Sequence, residues 1–546
     1  MVQDMSVFAQ TIFRDKYSQI KADGSKETWS DIADRVSRKV MESVATEEEV
    51  QEVKRLISER KFMPGGRFLY SAGRQLNQVN NCFLLRAQDS REGWADLLRK
   101  SALITMCGGG VGVNYTRIRP EGKLIHGSGG YSTGPCALMQ AVNEVGRGIM
   151  GGGSRRAAMW AGLSWTHSDI NRFVHMKDWL KEVRMLKAKD FSFPATMDLT
   201  NISVCVNDEF FTAYNDQDHR LNSLAHSTYW NSIRRSLKTG EPGFSIDTGL
   251  NRYEDLRNPC TELTSYDDSD VCCLGSINLA RIESLEEMRH VVNMAVAFLL
   301  CGTMYSSVPY PEISATREKN RRLGLGLMGI HEWLLMHGKP YGQDLDLQKY
   351  MEIYAQSTEM SHKWADKWDM SRPIKTRAIA PTGTIAIVAE TTTGIEPIFC
   401  VAYKRRYLKN NAWHYQYVID PTAKKLVDAG IHPSNIEDAY TLSGDIDRRL
   451  SFQVWLQTYV DHAISSTVNL PRWGSEQNNE DKVTEIGNKI LKYMPGLRGL
   501  TVYPDGARDG QPLVPINYNT AQDHIGETFI EAVNMCSITK GEACGD

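Results

Sequence analysis

The stretch Asn258–Ala280 reads NPCTELTSYDDSDVCCLGSINLA, and it joins a polar loop with a cysteine to an apolar run typical of a buried strand. Within the loop, Cys260 stands between Asn258 and Glu262. In an extended loop, alternate residues lie on one side, so these three side chains are expected to face together. A carboxylate beside a thiol raises the pKa of the thiol, which disfavours a thiolate nucleophile. A protonated thiol with a base nearby suits hydrogen-atom transfer combined with proton transfer.

Strand and helix signals alternate outward from this stretch in both directions. After helical spacing over about the first eighty residues, short apolar strand candidates are separated by helical stretches. Ser284 and Glu287 predict a capping box at the start of one helix. The strand candidates are NCFLLRA, GGVGVNYTRI, NISVCVND, PGFSIDT, CCLGSINLA, RRLGLGLMG, TRAIAPTGTIAIVAE, IEPIFCVAYKRRYL and GLTVYPDG. This alternation predicts an α/β fold with helices outside a largely parallel sheet.

Composition limits the classes of function. The chain has 546 residues, of which 41% are hydrophobic and 24% charged, and its formal net charge is −3. A chain with so small a net charge has no strong positive field that would attract nucleic acid. The N-terminal stretch contains no apolar run of signal-peptide length, and the apolar stretch from Val291 to Tyr305 is too short to span a bilayer. We expect a cytoplasmic protein that binds neither membrane nor nucleic acid.

The eleven cysteines have no regular spacing and include no CxxC pair. An odd, irregular set argues against a secreted disulfide scaffold and against a structural zinc site, so no bound metal is predicted. In a reducing compartment such thiols are reduced, and disulfides there are transient or catalytic. Most of them are expected to be buried as small apolar side chains, namely Cys107, Cys136, Cys205, Cys301 and Cys400.

Three glycine-containing segments could bind phosphate. GLGLMG (324–329) has the spacing of a dinucleotide fingerprint, but no suitably placed strand followed by an acidic residue about 20 residues on accompanies it, which favours tight strand-to-helix packing. GGGSRRAAM offers two arginines to an anion, although a solvated basic loop explains it equally. APTGTIA places hydroxyl residues at a helix start, where they serve either an anion or an N-cap. Two functions compete with catalysis at Cys260. A redox-sensing binding protein would not need Glu262 beside Cys260, and a nicotinamide dehydrogenase would need an acid for the adenine ribose after GLGLMG, which is not evident.

Together the motifs resemble the catalytic subunit of ribonucleotide reductase, in the family's order from about Met63 to Gly510. They are NCFLL, GGGVGVNYTRIR, GSGGYSTGP, GGGSRRAAM, NISVCVNDEF, NPCTE, CCLGSINLA, NRRLGLGLMG, APTGTIA and TGIEPIF. The resemblance implies a ten-stranded α/β barrel of two five-stranded halves, with NPCTE on a finger loop in its centre. It divides the chain into a helical region (1–75), the barrel (76–510) and a flexible tail (511–546).

The resemblance also implies roles for individual residues. Cys260 matches the thiyl-radical cysteine, Glu262 the base that takes the 3′-hydroxyl proton, and Asn258 its hydrogen-bonding companion. Cys82 and Cys272 match the pair that supplies two electrons and ends as a disulfide. Their Cα atoms must then lie within about 7 Å. Cys273 is expected to point to the opposite face of its strand, into the core.

Binding residues follow from the same resemblance. Substrate phosphate is expected at Asn81 and at the run Pro381, Thr382, Gly383, Thr384, Ile385 and Ala386. Deoxynucleoside triphosphate effectors are expected at Asp89, Ser90, Arg155 and Arg156, with flexible loops at 122–131 and 151–156. Cys536 and Cys544 resemble the shuttle that re-reduces the buried disulfide, with a thioredoxin or glutaredoxin-like protein as external reductant. The partners implied are a ribonucleotide, the effectors, the reductant and a second copy of the chain.

Two departures from the family pattern refine the expectation. The chain enters its helical region almost at once, so we expect no N-terminal ATP-binding cone and no overall control by dATP. Subunit-dependent members carry two adjacent tyrosines near the end, whereas here Tyr503 is followed by Pro504. VYPDG resembles the adenosylcobalamin-dependent branch, in which the cofactor generates the radical. The alternative is a subunit that receives its radical from a separate metal-containing protein through Tyr503 and another tyrosine.

Overall fold

The computed structural model describes residues 5–127, 129–149, 157–190, 193–249, 253–409, 412–507 and 513–530. Its helices are α1 Val7–Lys16, α2 Trp29–Met41, α3 Glu47–Ser58, α4 Gly66–Ser71, α5 Arg91–Met106, α6 Gly134–Gly148, α7 Ile170–Val174, α8 Lys181–Lys189, α9 Asp208–Asn215, α10 Asn222–Thr239, α11 Leu285–Tyr305, α12 Pro311–Asn320, α13 Ile330–Met336, α14 Leu345–Ala355, α15 Ser357–Lys367, α16 Gly383–Ala389, α17 Pro421–Asp428, α18 Ile446–Gln457, α19 Val483–Tyr493 and α20 Tyr518–Asp523. Its strands are β1 Phe62–Pro64, β2 Cys82–Arg86, β3 Gly110–Asn114, β4 Leu124–Ile125, β5 Gly130–Tyr131, β6 Met159–Ser164, β7 Thr200–Asn207, β8 Gly243–Asp247, β9 Leu256–Arg257, β10 Thr264–Ser265, β11 Asp270–Asn278, β12 Leu323–Met328, β13 Ala402–Lys409, β14 Ala412–Ile419, β15 Thr467–Leu470, β16 Gly499–Pro504, β17 Leu513–Pro515 and β18 Thr528–Ile530.

The large sheet consists of two parallel halves that meet in antiparallel pairs. In the first half β2, β3, β6, β7 and β8 are parallel neighbours. In the second half β11 pairs in parallel with β12, and β15 with β16. The halves join where β2 meets β11 and where β8 meets β16, both antiparallel. Strands with apolar residues on both faces belong in a sheet that is covered on both sides, as the sequence predicted.

The tenth barrel position is occupied by the segment 377–379, which lies between β12 and β15. Arg377 bridges Leu325 of β12 in parallel, and Ile379 bridges Ile464 just before β15. The ring of two five-stranded halves is thereby closed, and the predicted α/β barrel is confirmed. The strand candidate TRAIAPTGTIAIVAE differs from the prediction, because only these bridges form and helix α16 begins at Gly383.

Each half has its own hydrophobic core on the outer face of the sheet. One core packs β3, β6, β7 and β8 against α6, α9, α10 and α19. The other packs β11 and β12 against α11 and also takes in the apolar faces of α2 and α3. The N-terminal helices therefore share a core with the second half of the barrel.

Capping boxes begin two of the N-terminal helices, and the one predicted for α11 forms only in part. Thr28 with Asp31, and Thr46 with Glu49, form complete capping boxes on α2 and α3. At α11 the Ser284 hydroxyl accepts the N–H of Glu287 at 3.1 Å, but the Glu287 carboxylate accepts the N–H of Glu283 instead of that of Ser284. The predicted N-cap is present there, whereas the reciprocal half of the box is displaced by one residue.

The chain after the barrel returns to the protein surface. β17 and β18 pair with the outer sides of the β13–β14 hairpin, and Tyr415 stacks on Phe529 with ring centroids 5.1 Å apart. This part of the predicted flexible tail therefore contributes two strands to a four-stranded antiparallel sheet, held by main-chain pairing and aromatic contacts that its polar composition did not reveal. Across the described residues, no helix combines the length and the apolar character that crossing a membrane requires.

Candidate active site

The tip of the finger is a β-turn between two short antiparallel strands. β9 and β10 pair with Thr264 opposite Arg257, and the Thr261 N–H donates to the Asn258 carbonyl at 2.9 Å. Pro259 occupies the second position of the turn, where its fixed φ is favoured, and Thr261 has φ of 66°. The prediction of an extended loop with alternating side chains was therefore wrong, because the turn hydrogen bond reverses the chain at Cys260.

The three polar side chains of the turn differ in how far they are buried. Asn258 and Glu262 are 0% and 1% exposed, whereas Cys260 at the tip is partly exposed. The Asn258 side-chain oxygen accepts the Leu263 N–H at 2.9 Å, while its Nδ2 has no hydrogen-bond partner among the described residues. The Ala463 N–H donates to the Glu262 carbonyl at 2.9 Å. The result is an accessible thiol beside a buried carboxylate and a buried amide donor.

Glycines in β3 make room for the finger inside the barrel. A Cβ added at Gly112 would stand 1.7 Å from the Arg257 carbonyl oxygen, and one at Gly110 would stand 2.8 Å from Cγ of Pro259. Alternate residues of a strand share a face, so both glycines belong to the inner face of β3. The alternating glycines of GGVGV are the sequence signal of this role, which was not predicted.

Cys82 and Cys272 are brought together by strand register. They are direct partners in the antiparallel pair β2–β11, where opposed Cα atoms lie about 4.5–5.5 Å apart, within the range of a disulfide. Burial raises the pKa of the Cys272 thiol well above its usual value, and Cys273, Asp270 and Glu262 raise it further. Both sulfurs belong to an inner apolar cluster of Cys82, Leu84, Leu256, Leu263, Cys272, Leu274 and Ala378.

The neighbouring Cys273 lies on the outer face of β11, as predicted. It is fully buried in the core that includes α11, and the Asn80 amide donates to its sulfur at 3.3 Å. Burial raises its pKa to about 12. Of the other predicted core cysteines, Cys136, Cys301 and Cys400 are buried, and Cys107 and Cys205 are partly buried. No group of His, Cys, Asp and Glu side chains among the described residues could hold a metal ion.

GLGLMG forms strand β12 and the turn into α13, which confirms strand-to-helix packing. Gly329 has φ of 75° at the start of the helix. A Cβ added at Gly324 would stand 2.3 Å from Cδ2 of Leu274 and 3.0 Å from the sulfur of Cys272. The first glycine therefore leaves space beside the inner thiol.

The predicted phosphate residues lie at one mouth of the barrel. Because the halves are antiparallel, the amino ends of the first half meet the carboxyl ends of the second. Asn81 precedes β2 at this mouth, and the run 381–386 follows the segment 377–379 there. Thr382 accepts the Gly394 N–H at 3.0 Å, and a Cβ at Gly383 would meet nothing within 4 Å. Space is thus open beside the first residue of α16.

The predicted effector residues lie apart from this mouth and are only partly described. Asp89 pairs with Arg119 at 2.7 Å, and the Ser90 hydroxyl caps α5 by accepting the Gly93 N–H at 2.9 Å. β4 and β5 form a small hairpin in the predicted loop 122–131. Arg155 and Arg156, like the proposed shuttle cysteines Cys536 and Cys544, lie outside the described residues.

A cavity of about 290 Å³ opens where β15 and β16 end. Phe399, Tyr440 and Tyr503 supply aromatic walls, and Arg472 and Asp505 supply charge. The Tyr440 hydroxyl donates to Asp505 at 3.2 Å. Pro504 directly follows Tyr503 in place of a second tyrosine, but Tyr440 lines the same cavity.

Comparison with known proteins agrees with this geometry. A family described as "Ribonucleotide reductase, barrel domain" matches residues 80–228, 222–374 and 371–503, and "Ribonucleotide reductase, all-alpha domain" matches residues 3–77. A vitamin B12-dependent ribonucleoside-diphosphate reductase of Mycobacterium tuberculosis is 26% identical over 93% of this chain and 80% of its own length. One from Thermoplasma acidophilum is 26% identical over 94% and 72%. The ribonucleoside-diphosphate reductase large subunit of Vaccinia virus is 28% identical over 57% and 46%. With its closed barrel, central finger and matched domains, the chain belongs to the ribonucleotide reductase family.

Proposed function

We propose that this catalytic subunit reduces ribonucleoside diphosphates to 2′-deoxyribonucleotides by thiyl-radical chemistry at Cys260, with adenosylcobalamin as the radical source. The observation that carries the proposal is the register that sets Cys82 opposite Cys272 inside the barrel that encloses the finger turn. A redox-sensing protein would need the thiol pair, but it would not need a buried carboxylate two residues from an accessible thiol.

Each of the finger residues and each cysteine of the inner pair has its own step in the proposed reaction. The Cys260 thiyl radical removes the 3′ hydrogen atom, and Glu262 accepts the 3′-hydroxyl proton as general base. The 2′-hydroxyl leaves as water, while Cys82 and Cys272 lose two hydrogen atoms to the substrate and form a disulfide. Cys260 then returns its hydrogen atom to C3′. The sum converts one ribonucleotide and two thiols into one deoxyribonucleotide, one disulfide and one water. The Nδ2 of Asn258 is available to hold a substrate oxygen during these steps.

The residues at the mouth fit adenosylcobalamin. When bound, adenosylcobalamin would supply an organic radical, and the Cys260 thiol would give up its hydrogen atom to that radical. Cys260 is the accessible side chain of the turn, and the aromatic cavity with Phe399, Tyr440 and Tyr503 lies at the strand ends that form the same mouth. These aromatic side chains would hold the nucleoside part. Relatives named vitamin B12-dependent align along nearly the whole chain, whereas the viral large subunit aligns along little more than half, which favours cobalamin over a radical-generating partner subunit.

The remaining sites serve binding and regulation. Asn81 and the amino end of α16 bind the substrate phosphates, and Asp89 and Ser90, with Arg155 and Arg156, bind deoxynucleoside triphosphate effectors. Cys536 and Cys544 pass reducing equivalents from a thioredoxin or glutaredoxin-like protein to the inner pair. The enzyme acts as a homodimer in the cytoplasm, where the thiols that the reaction consumes are kept reduced.

Product formation from each substrate tests the proposal. We expect the purified chain to reduce CDP with dithiothreitol and adenosylcobalamin, without a second protein. Cys260→Ser should abolish reduction while nucleotide binding persists. Activity that requires an added metal-containing subunit would refute the cofactor assignment, and full activity of Cys260→Ser would refute the mechanism. CTP in place of CDP tests the diphosphate preference.

A further inference from the structure

Buried polar groups hold the returning strand of the finger at Thr264, two residues beyond Glu262. The Thr264 hydroxyl donates to Glu254 at 2.7 Å, and its backbone N–H donates to Nδ1 of His462 at 3.1 Å. Lys375 donates to the same hydroxyl oxygen at 3.2 Å. Three side chains from outside the finger hairpin therefore meet at Thr264, the first residue of β10, two residues beyond the proposed base.

These partners form a compact group of buried charges. Glu254 pairs with Lys375, and it also pairs with Arg322 at 3.0 Å. Arg322 in turn donates to Asp270 at 2.7 Å, so two cations face two carboxylates. The side chains are between 0% and 16% exposed. Buried ion pairs contribute little net stability because desolvation opposes them, so a role in fixing geometry explains their presence better.

His462 is part of this arrangement in its neutral form. It is completely buried, and a backbone N–H donated to Nδ1 requires a lone pair there, which places the proton on Nε2. Burial lowers the pKa of His462 well below its usual value, and the nearby cations Lys375, Arg322 and Arg257 lower it further. Its Nε2 has no hydrogen-bond partner among the described residues. The residue therefore serves the finger through Nδ1.

We propose that Glu254, Lys375 and His462 are positioning residues for ribonucleotide reduction, which hold Thr264 and thereby fix Glu262 and Cys260 relative to the substrate. The inference rests on the proposed function, because it assumes that these two finger residues react. The mechanical link is short: the neighbouring Ala463 N–H also holds the Glu262 carbonyl at 2.9 Å. Loosening Thr264 would let the base and the turn move together, without removing either reacting group.

Two matched substitutions at His462 test which nitrogen matters. In His462→Asn the side-chain oxygen takes the place of Nδ1, and in His462→Gln the amide nitrogen takes the place of Nε2. We expect the Asn variant to retain kcat within about threefold and the Gln variant to lose about tenfold or more, at nearly unchanged KM. The reverse order would overturn the proposal and assign the role to Nε2. Equal, wild-type kcat in both would overturn it as well.

The pH profile gives a readout that a merely structural role would not change. Burial lowers the pKa of Lys375 to about 8, with Arg322 acting in the same direction and Glu254 and Asp461 in the opposite one. The neighbouring His462 is neutral throughout this range. We expect wild-type kcat to fall above pH 8 as Lys375 loses its proton, and Lys375→Arg to shift that fall to higher pH. An identical profile in the Arg variant would refute the assignment.

Lys375→Met completes the set by removing the cation. We expect kcat to fall about tenfold or more, while effector affinity and the thermal unfolding midpoint show that the barrel is intact. Should this variant not fold, the His462 pair and Lys375→Arg decide the question. If wild-type enzyme forms no deoxyribonucleotide, or Cys260→Ser still does, the proposed function fails. If those controls behave as expected and Lys375→Met has wild-type kcat, only the positioning role fails.

Discussion

Replacing Gly112 with alanine should disable the enzyme by moving the finger. The added Cβ would stand 1.7 Å from the Arg257 carbonyl oxygen and 2.9 Å from Cα of Asn258, both backbone atoms of the finger. Ordinary contact needs about 3.5 Å, so the finger backbone must shift by about 1.5 Å or more. A misplacement of about 1 Å costs a catalytic step about 100-fold. We therefore expect kcat to fall at least about 100-fold, which corresponds to about 2.7 kcal/mol in the activation barrier.

The assay must separate this loss from general instability. Overpacking of this kind costs about 1–3 kcal/mol of unfolding free energy, which a large barrel tolerates. Gly487→Ala is the matched control, because its added Cβ would meet the Trp230 ring at 2.5 Å in a helix of the outer layer. Single-turnover formation of deoxycytidine diphosphate and urea unfolding should be measured on both variants. Wild-type kcat in a folded Gly112→Ala variant would refute the reasoning, and so would an equal loss of kcat in Gly487→Ala.

Three further predictions concern other parts of the chain. Burial raises the pKa of Asp420, the N-cap of α17, to about 6. The free energy of unfolding of the wild type should therefore decrease as pH rises from about 4 to 6, because the unfolded chain ionises this carboxyl more readily. Asp420→Asn should not show this decrease and should be up to about 3 kcal/mol more stable than the wild type by urea unfolding at pH 7.5. Asp445→Asn, the matched control at the exposed N-cap of α18, should leave the free energy of unfolding unchanged. Cys272→Ser should abolish product formation, and a disulfide between Cys82 and Cys272 should appear by mass spectrometry only after wild-type turnover without reductant. Tyr503→Phe should retain activity with adenosylcobalamin, whereas a radical route through this tyrosine would lose it.

Periodicity and turn signals predicted most of the barrel. The apolar runs of β2, β3, β7, β8, β11, β12 and β16 all became strands of the large sheet. The segment 377–379 is a barrel position with only single bridges, so its short extent could not be separated in sequence from the helix that begins at Gly383. The pairing of β17 and β18 with a distant hairpin also escaped prediction, since main-chain hydrogen bonds between edge strands leave little trace in composition.

The candidate site was predictable in identity but not in shape. Family motifs selected Cys82 and Cys272, and the strand register that makes them neighbours appeared only in three dimensions. The turn at Cys260 depends on Pro259 and on a hydrogen bond from Thr261, which a simple alternation of residues ignores. Two of the three side chains behind the finger come from distant segments, because Lys375 is 111 residues and His462 is 198 residues from Thr264. No local pattern encodes such a contact.

Strand alternation also explains how adjacent cysteines acquire different chemistry. Cys272 belongs to the inner apolar cluster with Cys82, whereas Cys273, one residue later, belongs to the outer core with α11. A slip of β11 by one residue would exchange the two faces and remove the opposed pair from the substrate side. β11 resists such a slip because it is held at both ends: Cys272 pairs with β2, and Cys273 to Asn278 pair with β12. The same register that closes the barrel therefore decides which of the two thiols lies opposite Cys82 in the proposed redox pair, and the finger turn adds the separate, accessible thiol of Cys260.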